Sequence, residues 1–418
     1  MKRIMSGKKF TRMLRYLHVC DLHGDPRDTY DPTYKVSELL NYLKYRFERL
    51  FVPGRQLSLD ETLIRSFGRI KFKVRIISKS ARYGIKIYVL TDAATAFVLR
   101  VIIYTGKSTY NETTNPGEKK TVTIVKELCK SMQGSHRTVY VDRFYTSLDL
   151  LKELHDMDIY TTGTLMKNHI PKELTIPKTT KRFKEMNRGD MTHHLYQYRS
   201  KGKMCRAGLV CWKDRDIVYC ISNETGTVDG DKCTRRSREG LIELNRPQSI
   251  AEYNTYMGGV DLADMRRLHC NSTIMGQHRW WLKLFFYLLD VGTSNALVLY
   301  NCTRESPISV TEFKAMLVKG FLGDQLRPIP ESPVPHLPLQ TEGRFRCAYC
   351  SLFNDMKCTR FRCSADCCRL PLCSVGTGSS DRDCFTLCHG NPTIHRAVLV
   401  KFESMQKSYM SKNKRHSR

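Results

Sequence analysis

The chain has 418 residues, 41% of them hydrophobic, which allows two or three domains with sizeable cores and excludes a chain disordered throughout. Its 69 Lys+Arg against 41 Asp+Glu leave a formal net charge of +28 at pH 7. A surplus of that size, spread along the chain, points to a folded basic surface meeting a polyanion, with nucleic acid ahead of the ribosomal or membrane-surface alternatives.

The opening Met1-Lys2-Arg3-Ile4-Met5 lacks the apolar run of a secretory signal. Phe10, Met13, Leu14 and Leu17, then Leu39, Leu40, Leu43 and Phe47, keep helical spacing, so residues 1–54 are expected to be helical up to Pro53-Gly54. The period then changes. Leu57 and Leu59 alternate with Gln56, Ser58 and Asp60, and Ile85–Leu90 and Ala96–Tyr104 are further β-rich runs. Val122, Val125, Leu128 and Met132 mark a helix, Thr138–Val141 a short strand, and Leu148, Leu151 and Leu154 a second helix. Strands followed by a β-α-β passage over residues 55–165 predict a mixed α/β sheet.

Residues 166–250 read as an insertion. Basic residues cluster at Lys178–Lys184 and Arg235–Arg238, and β-like pieces stand at Gly208–Trp212 and Ile217–Ile221. From Tyr253 the chain is helical again to about Phe321. Its most apolar stretch, Trp280–Tyr300, contains Lys283, Asp290 and Asn295; a bilayer helix would rarely carry all three, so a buried helix and no membrane contact are expected. Pro328, Pro330, Pro333, Pro335 and Pro338 favour an extended linker over 326–343. A cysteine-rich segment, 344–390, and a basic tail, 391–418, complete the chain. With 17 cysteines and no signal segment, reduced thiols or metal ligands are expected rather than disulfides. That places the chain in the cytosol or nucleus, and the basic cluster Lys412–Arg418 favours the nucleus.

Three separated carboxylates carry the candidate chemistry. Asp60 lies on the strand around Leu57-Ser58-Leu59, Asp142 at the end of Val139-Tyr140-Val141, and Asp261 just after Gly258-Gly259-Val260, where a helix would put Asp264 on its own face three residues on. Carboxylate oxygens suit Mg²⁺, and two such ions activate a nucleophile and stabilise both oxygens of a phosphodiester exchange. The ordinary reading is that Asp60 and Asp142 pair with nearby cations and Asp261 caps a helix.

The wording around these aspartates resembles the piggyBac transposase family. The matching stretches are Leu59-Asp60-Glu61-Thr62-Leu63-Ile64 with Gly68-Arg69, Ser78-Lys79 and Gly84-Ile85-Lys86; Val141-Asp142-Arg143-Phe144-Tyr145-Thr146-Ser147 with Thr162-Gly163-Thr164 and Asn168; and Tyr253 to Asp264, continuing through Arg279-Trp280-Trp281 to Tyr300. They occur in family order over most of the chain. The resemblance implies an α/β ribonuclease-H-like (DDE) core, residues 55–165 and 251–268, with the 166–250 insertion β-rich. It also implies a discontinuous helical dimerisation and DNA-binding domain, 1–54 and 269–325. Asp60, Asp142 and Asp261 would hold two Mg²⁺ (or Mn²⁺), with Asp264 a further acidic position. The implied activity is cut-and-paste transposition through DNA hairpins into TTAA sites by a homodimer. Three departures are visible. Arg143 stands where the family usually has Asn, 262–266 is one residue shorter than the usual pattern, and the chain begins near the first helices. A catalytically silent DNA-binding or chromatin derivative is therefore the first rival.

In the C-terminal segment Cys347, Cys350, Cys358, Cys363, Cys367, Cys368, Cys373, Cys384, Cys388 and His389 are dense enough for two tetrahedral Zn²⁺ sites. The expected ligands are Cys347, Cys350, Cys363, Cys368, Cys373, Cys384, Cys388 and His389, with the choice between Cys367 and Cys368 and the role of Cys358 open. The resemblance implies a cross-brace module. Phe345, Arg346, Lys357, Arg360, Arg362 and Arg369 favour DNA as its partner, and a protein-interaction adaptor is the competing reading. Lys79, Lys86, Arg143, Arg279, Lys283, Arg346 and Arg362 are the expected DNA contacts. Trp280-Trp281, with Phe285, Phe286 and Leu289, reads as core rather than as a base-stacking set. His193, His194, Cys205, Cys211 and Cys129 read as structural.

Overall fold

The computed structural model describes residues 5–20, 31–77 (except 67 and 69), 82–106, 109, 117–170, 176, 186–237, 240–269, 271–272, 279–323, 337–353, 355–364, 368–373, 383–391 and 393–402. Lys79, Cys367, the Lys178–Lys184 cluster, most of the proline run and the Lys412–Arg418 tail lie outside these residues. The chain divides into two compact units: residues 11–323, and residues 1–10 with 324–418.

The larger unit is built on a sheet. Its strands are β1 (Gln56–Arg65), β2 (Val74–Arg75), β3 (Tyr83–Asp92), β4 (Val98–Ile103), β5 (Thr138–Val141), β6 (Tyr160–Thr164), β7 (Met191–Ser200), β8 (Lys203–Lys213) and β9 (Ile217–Ser222). The order is β2-β3-β1-β5-β6-β9-β8-β7, with β4 also paired to β3. β1 runs antiparallel to β3 and parallel to β5, and β5 runs parallel to β6. The parallel step from β5 to β6 is made by α4 (Leu148–Asp156), whose N-cap Ser147 accepts a hydrogen bond from Leu150 N at 3.1 Å. β7, β8 and β9 do not form a separate body. Ser222 and Ile221 of β9 pair with Thr162 and Gly163 of β6, so the expected insertion extends the central sheet. Among the described residues of this segment, β10 (Asp229–Ser237) and β11 (Gly240–Pro247) leave it as a hairpin.

Helices α2 (Tyr34–Leu50), α3 (Lys120–Cys129), α5 (Gln248–Tyr256), α6 (Gly259–His269), α7 (Trp280–Cys302) and α8 (Val310–Leu322) accompany the sheet, after the short α1 (Gly7–Tyr16). The main core joins Leu57, Leu59, Leu90 and Val139 of the strands to Val36, Leu128, Leu282 and Leu288 of the helices. Phe51 stacks on Phe97 at 4.3 Å, and Phe47 meets it edge-on at 5.8 Å. α7 is long and apolar enough to cross a membrane, yet it is mostly buried inside the unit. Its Asp290 is fully buried and answered by Lys314 Nζ at 2.9 Å and by Ser272 N and Oγ, both at 2.8 Å, as a buried carboxylate requires. Its Asn295 side chain accepts from Val98 N and donates to Val98 O, each at 2.8 Å, on the edge strand β4.

The smaller unit contains the hairpin β12 (Pro338–Arg346) and β13 (Cys358–Cys363), the short α9 (Cys384–His389) and a helix over residues 393–402, here α10. β12 thus starts inside the stretch expected to be extended linker. Pro338 opens the strand opposite Cys363, a position where its missing N–H is tolerated. Cys347, Cys350, Leu370, Leu372, Cys373, Cys384, Cys388 and Val398 form this unit's core.

Candidate functional site

The parallel pairing of β1 with β5 sets Leu59 opposite Val141. Both are fully buried, so the next residues, Asp60 and Asp142, emerge on neighbouring strands about 4.8 Å apart. Asp142 opens a tight turn: its carbonyl accepts from Tyr145 N at 2.9 Å and from Thr146 N and Oγ1 at 3.1 and 3.0 Å. The Tyr145 hydroxyl reaches back to Glu61 Oε2 at 2.6 Å, where Lys86 Nζ also lies at 3.6 Å. The turn is therefore strapped to β1 one residue beyond Asp60.

The third aspartate comes from α6, which lies across β1. Ser58 Oγ donates to Met257 O at 2.6 Å, and Thr62 Oγ1 donates to Asp264 Oδ2. Ser58, Asp60 and Thr62 share one face of β1. The turn leading into α6 and the helix itself thus meet the residues two before and two after Asp60, and Asp261 falls between these anchors in the first turn of α6, where the helix dipole favours an anion. Asp264 Oδ1 is held by Arg267 Nε and Nη2 at 3.2 and 3.1 Å, and the buried guanidinium lies 4.9 Å from the Tyr287 ring centre. Asp264 is engaged in fixing α6 on β1.

Gly259 makes the close approach possible. A Cβ there would stand 2.6 Å from Thr91 Oγ1 and 2.9 Å from Ser58 Cβ, whereas one at Gly258 would meet nothing within 4 Å. Gly259→Ala is expected to cost about 1–3 kcal/mol by overpacking and to lift Asp261 away from β1. Gly258→Ala is expected to stay within about 0.5 kcal/mol. Urea unfolding of the two variants checks the contrast.

Electrostatics agree with the placement. Burial pushes the Tyr253 phenol above its usual range, and the charges of Asp142 and Asp60 push the same way. Tyr145 is raised by burial, by Glu61 and, more weakly, by Asp60. All-oxygen donors fit a hard cation such as Mg²⁺. Among the described residues the three aspartates do not gather their oxygens within 4.8 Å of one another, while two groups in the smaller unit do gather their ligand atoms so closely. Like charges without a cation between them repel.

Several expected DNA contacts are engaged inside the fold. Arg279 donates to Leu14 O and Arg15 O (2.5 and 3.1 Å), capping the end of α1. Lys283 donates to Arg65 O at 3.1 Å, and burial lowers its ammonium pKa. Lys86 lies between the Tyr88 and Phe144 rings, 4.7 and 4.8 Å from their centres. Arg143 is exposed beside Asp142. Arg346 is exposed on β12, and Arg362 lies 3.6 Å over the Phe345 ring. Trp281 is buried, as expected of core.

In the smaller unit, Cys347, Cys350, Cys373 and Cys384 form one group and Cys363, Cys368 and His389 another, with every ligand atom in each within 4.8 Å of the rest. The Cys-x2-Cys turn sends Cys350 N to Cys347 Sγ at 3.5 Å, and Cys350 and Cys384 sulfurs stand 3.5 Å apart. A hydrogen bond with Cys384 holds the Cys347 sulfur down to about 5, while burial pushes Cys373 and Cys368 up to about 12. His389 Nδ1–H donates to Phe385 O at 2.9 Å, leaving Nε2 facing Cys368 Sγ at 3.5 Å. That tautomer is the one a metal-binding imidazole needs. Cys388 is buried but stands outside both groups, and Cys358 is exposed. His395 was not singled out in the sequence, yet its Nε2 lies 3.3 Å from Cys368 Sγ.

A family model described as Transposase IS4 matches residues 1–297. Over 382 residues the chain is 27% identical to human PiggyBac transposable element-derived protein 3, covering 86% of this chain and 60% of that protein. Over the same length it is 27% identical to human Chimeric ERCC6-PGBD3 protein, covering 34% of it. The chain thus spans less than two thirds of either relative. Among solved structures it matches a piggyBac transposase in a synaptic complex with hairpin DNA, with TM-score 0.62 and 22% identity over 80% of this chain and 66% of that one. That likeness is one of fold.

Proposed function

This chain belongs to the piggyBac-type Transposase IS4 family, and from that premise we propose that it is a DNA-cutting and joining enzyme, a cut-and-paste transposase with Asp60, Asp142 and Asp261 as its metal-binding triad. The observation that carries the reading is the pairing of Leu59 with Val141, which sets Asp60 and Asp142 as the next residues on adjacent parallel strands, with α6 lying across β1. The strand order β4-β3-β1-β5-β6, antiparallel then parallel, supports a ribonuclease-H-like core.

Two Mg²⁺ (or Mn²⁺), when bound, would activate first water and then a 3′-hydroxyl and stabilise the leaving oxygen. The chain's own part is to hold three carboxylates where one face of the duplex can reach them. Thr62, Asp264 and Arg267 fix the helix that bears Asp261, and Tyr145 with Glu61 fixes the turn that bears Asp142. Asp264 acts in this reading as a positioning residue. The relative solved with hairpin DNA supports DNA as substrate and hairpin intermediates; joining at TTAA sites is what the resemblance to the family implies. A homodimer and a nuclear location complete the proposal. Exposed Arg143 and Arg346 are assigned to DNA backbone contacts, and the two cysteine groups to structural Zn²⁺, for which thiolate and imidazole donors are suited.

The test is a strand-cleavage assay on duplexes carrying the inverted repeats that flank the gene, bounded by TTAA, with Mg²⁺ or Mn²⁺. Free 3′-hydroxyl ends and hairpin flanks are expected. Binding of the same duplexes without cutting in either metal would establish the silent DNA-binding derivative instead.

A further inference from the structure

The second group in the smaller unit offers three ligands, Cys363, Cys368 and His389, and a structural zinc takes four. We propose that His395 is the fourth, making a Cys363–Cys368–His389–His395 centre beside the four-thiol one. The proposal rests on the reading of this unit as zinc-binding.

Distance and convergence both support it. Nε2 of His395 lies 3.3 Å and Nε2 of His389 3.5 Å from Cys368 Sγ. In a tetrahedral shell with Zn–S near 2.3 Å and Zn–N near 2.0 Å, sulfur and nitrogen neighbours stand about 3.5 Å apart. The two imidazoles are 5.0 Å between centres, so both turn a nitrogen to the same sulfur.

The local sequence explains why His395 is there. The Asn391 side chain accepts from the N–H groups of Thr393 and Ile394 at 3.0 and 3.2 Å, and His395 N donates to Asn391 O at 2.9 Å. This is an N-cap that starts α10. His395, Val398, Leu399 and Phe402 then fall on one stripe. Val398 is fully buried, and Leu399 and Phe402 pack on the core that contains Cys363 and Cys368. The stripe that docks the helix therefore also delivers the imidazole.

Chain order gives the assignment a topological consequence. The pairs 347/350, 363/368, 373/384 and 389/395 alternate between the two centres, so each ion would clamp segments threaded through the other. Cys388 is the rival ligand: it is buried next to His389 and, like His395, lies outside both groups; what favours His395 is the 3.3 Å approach of its Nε2 to Cys368 Sγ.

The test uses the full chain, with zinc counted per protein by elemental analysis after mild chelator challenge. Two ions are expected in the wild type, one in His395→Ala, and two again in His395→Cys. The cobalt-substituted His395→Cys protein should show stronger thiolate-to-metal charge-transfer absorption than the wild type. Cys388→Ser should keep two. Retention of two ions by His395→Ala, or loss of one by Cys388→Ser, would overturn the assignment of His395. A wild type without zinc would sink the zinc reading of the unit as well.

Discussion

Asp142→Asn is expected to reduce DNA strand cleavage by about 10³-fold or more, equivalent to roughly 4 kcal/mol of lost transition-state stabilisation. The substitution keeps shape and removes one negative charge from the place where β1, β5 and α6 meet. Its backbone role is untouched, since the turn bonds are made by the carbonyl to Tyr145 and Thr146. Folding should therefore survive. In metal-free buffer the variant should even melt slightly higher than the wild type, because one of three mutually repelling carboxylates is neutralised. Mg²⁺ should then stabilise the wild type and not the variant, since a cation adds stability only where it binds the folded state. Melting curves with and without Mg²⁺, beside the cleavage assay, check both halves. Cleavage at the wild-type rate would remove Asp142 from the chemistry.

Zinc removal is expected to unfold residues 337–402 while leaving residues 11–323 folded. Among its described residues the smaller unit buries few apolar side chains other than cysteines, chiefly Ala348, Leu370, Leu372, Phe385 and Val398, too few for a segment of this length to hold itself together. Structural zinc supplies on the order of 10 kcal/mol or more to folds of this kind. Cys384→Ser should act like a chelator, since its sulfur belongs to the four-thiol group. Acid should act the same way. Burial raises the Cys368 and Cys373 thiols to about 12, so a metal must displace protons there, and its hold weakens as pH falls. Hydrogen exchange resolved along the chain gives the readout. Unchanged protection of 337–402 in chelator would show that this unit folds without metal.

Much of the larger unit was legible because its signals are local. The alternation at Leu57 and Leu59 gives β1, and the helical spacing of Val122, Val125 and Leu128 gives α3, because each pattern reports one buried face. What the pattern cannot carry is who pairs with whom. The segment 166–250 reads as an insertion, and its partner strand is not legible there: β9 docks on β6 through contacts about sixty residues apart in sequence. Ala96 to Tyr104 shortens to Val98–Ile103, since the Asp92 carboxylate collects Thr95 N and Oγ1 into a turn and Ala96 adopts a positive φ of 56°.

The site followed the same division. Spacing leaves three aspartates ambiguous, and family wording singles them out, but neither shows that Asp264 is taken up by Thr62 and Arg267. Charge likewise says nothing of burial: Arg279, Lys283 and Lys86 are cations whose hydrogen bonds and ring contacts lie inside the protein. His395 escaped notice because it follows the cysteine run and gains meaning only when Asn391 starts a helix.

The bond pair between Asn295 and Val98 has a wider effect. β4 is a sheet margin whose outward amide and carbonyl would otherwise solicit a stray strand from another molecule. One buried carboxamide from α7 occupies both groups, so the margin is sealed by the same helix that fills the interior. At that point the seal discourages neighbouring copies from zipping sheet to sheet.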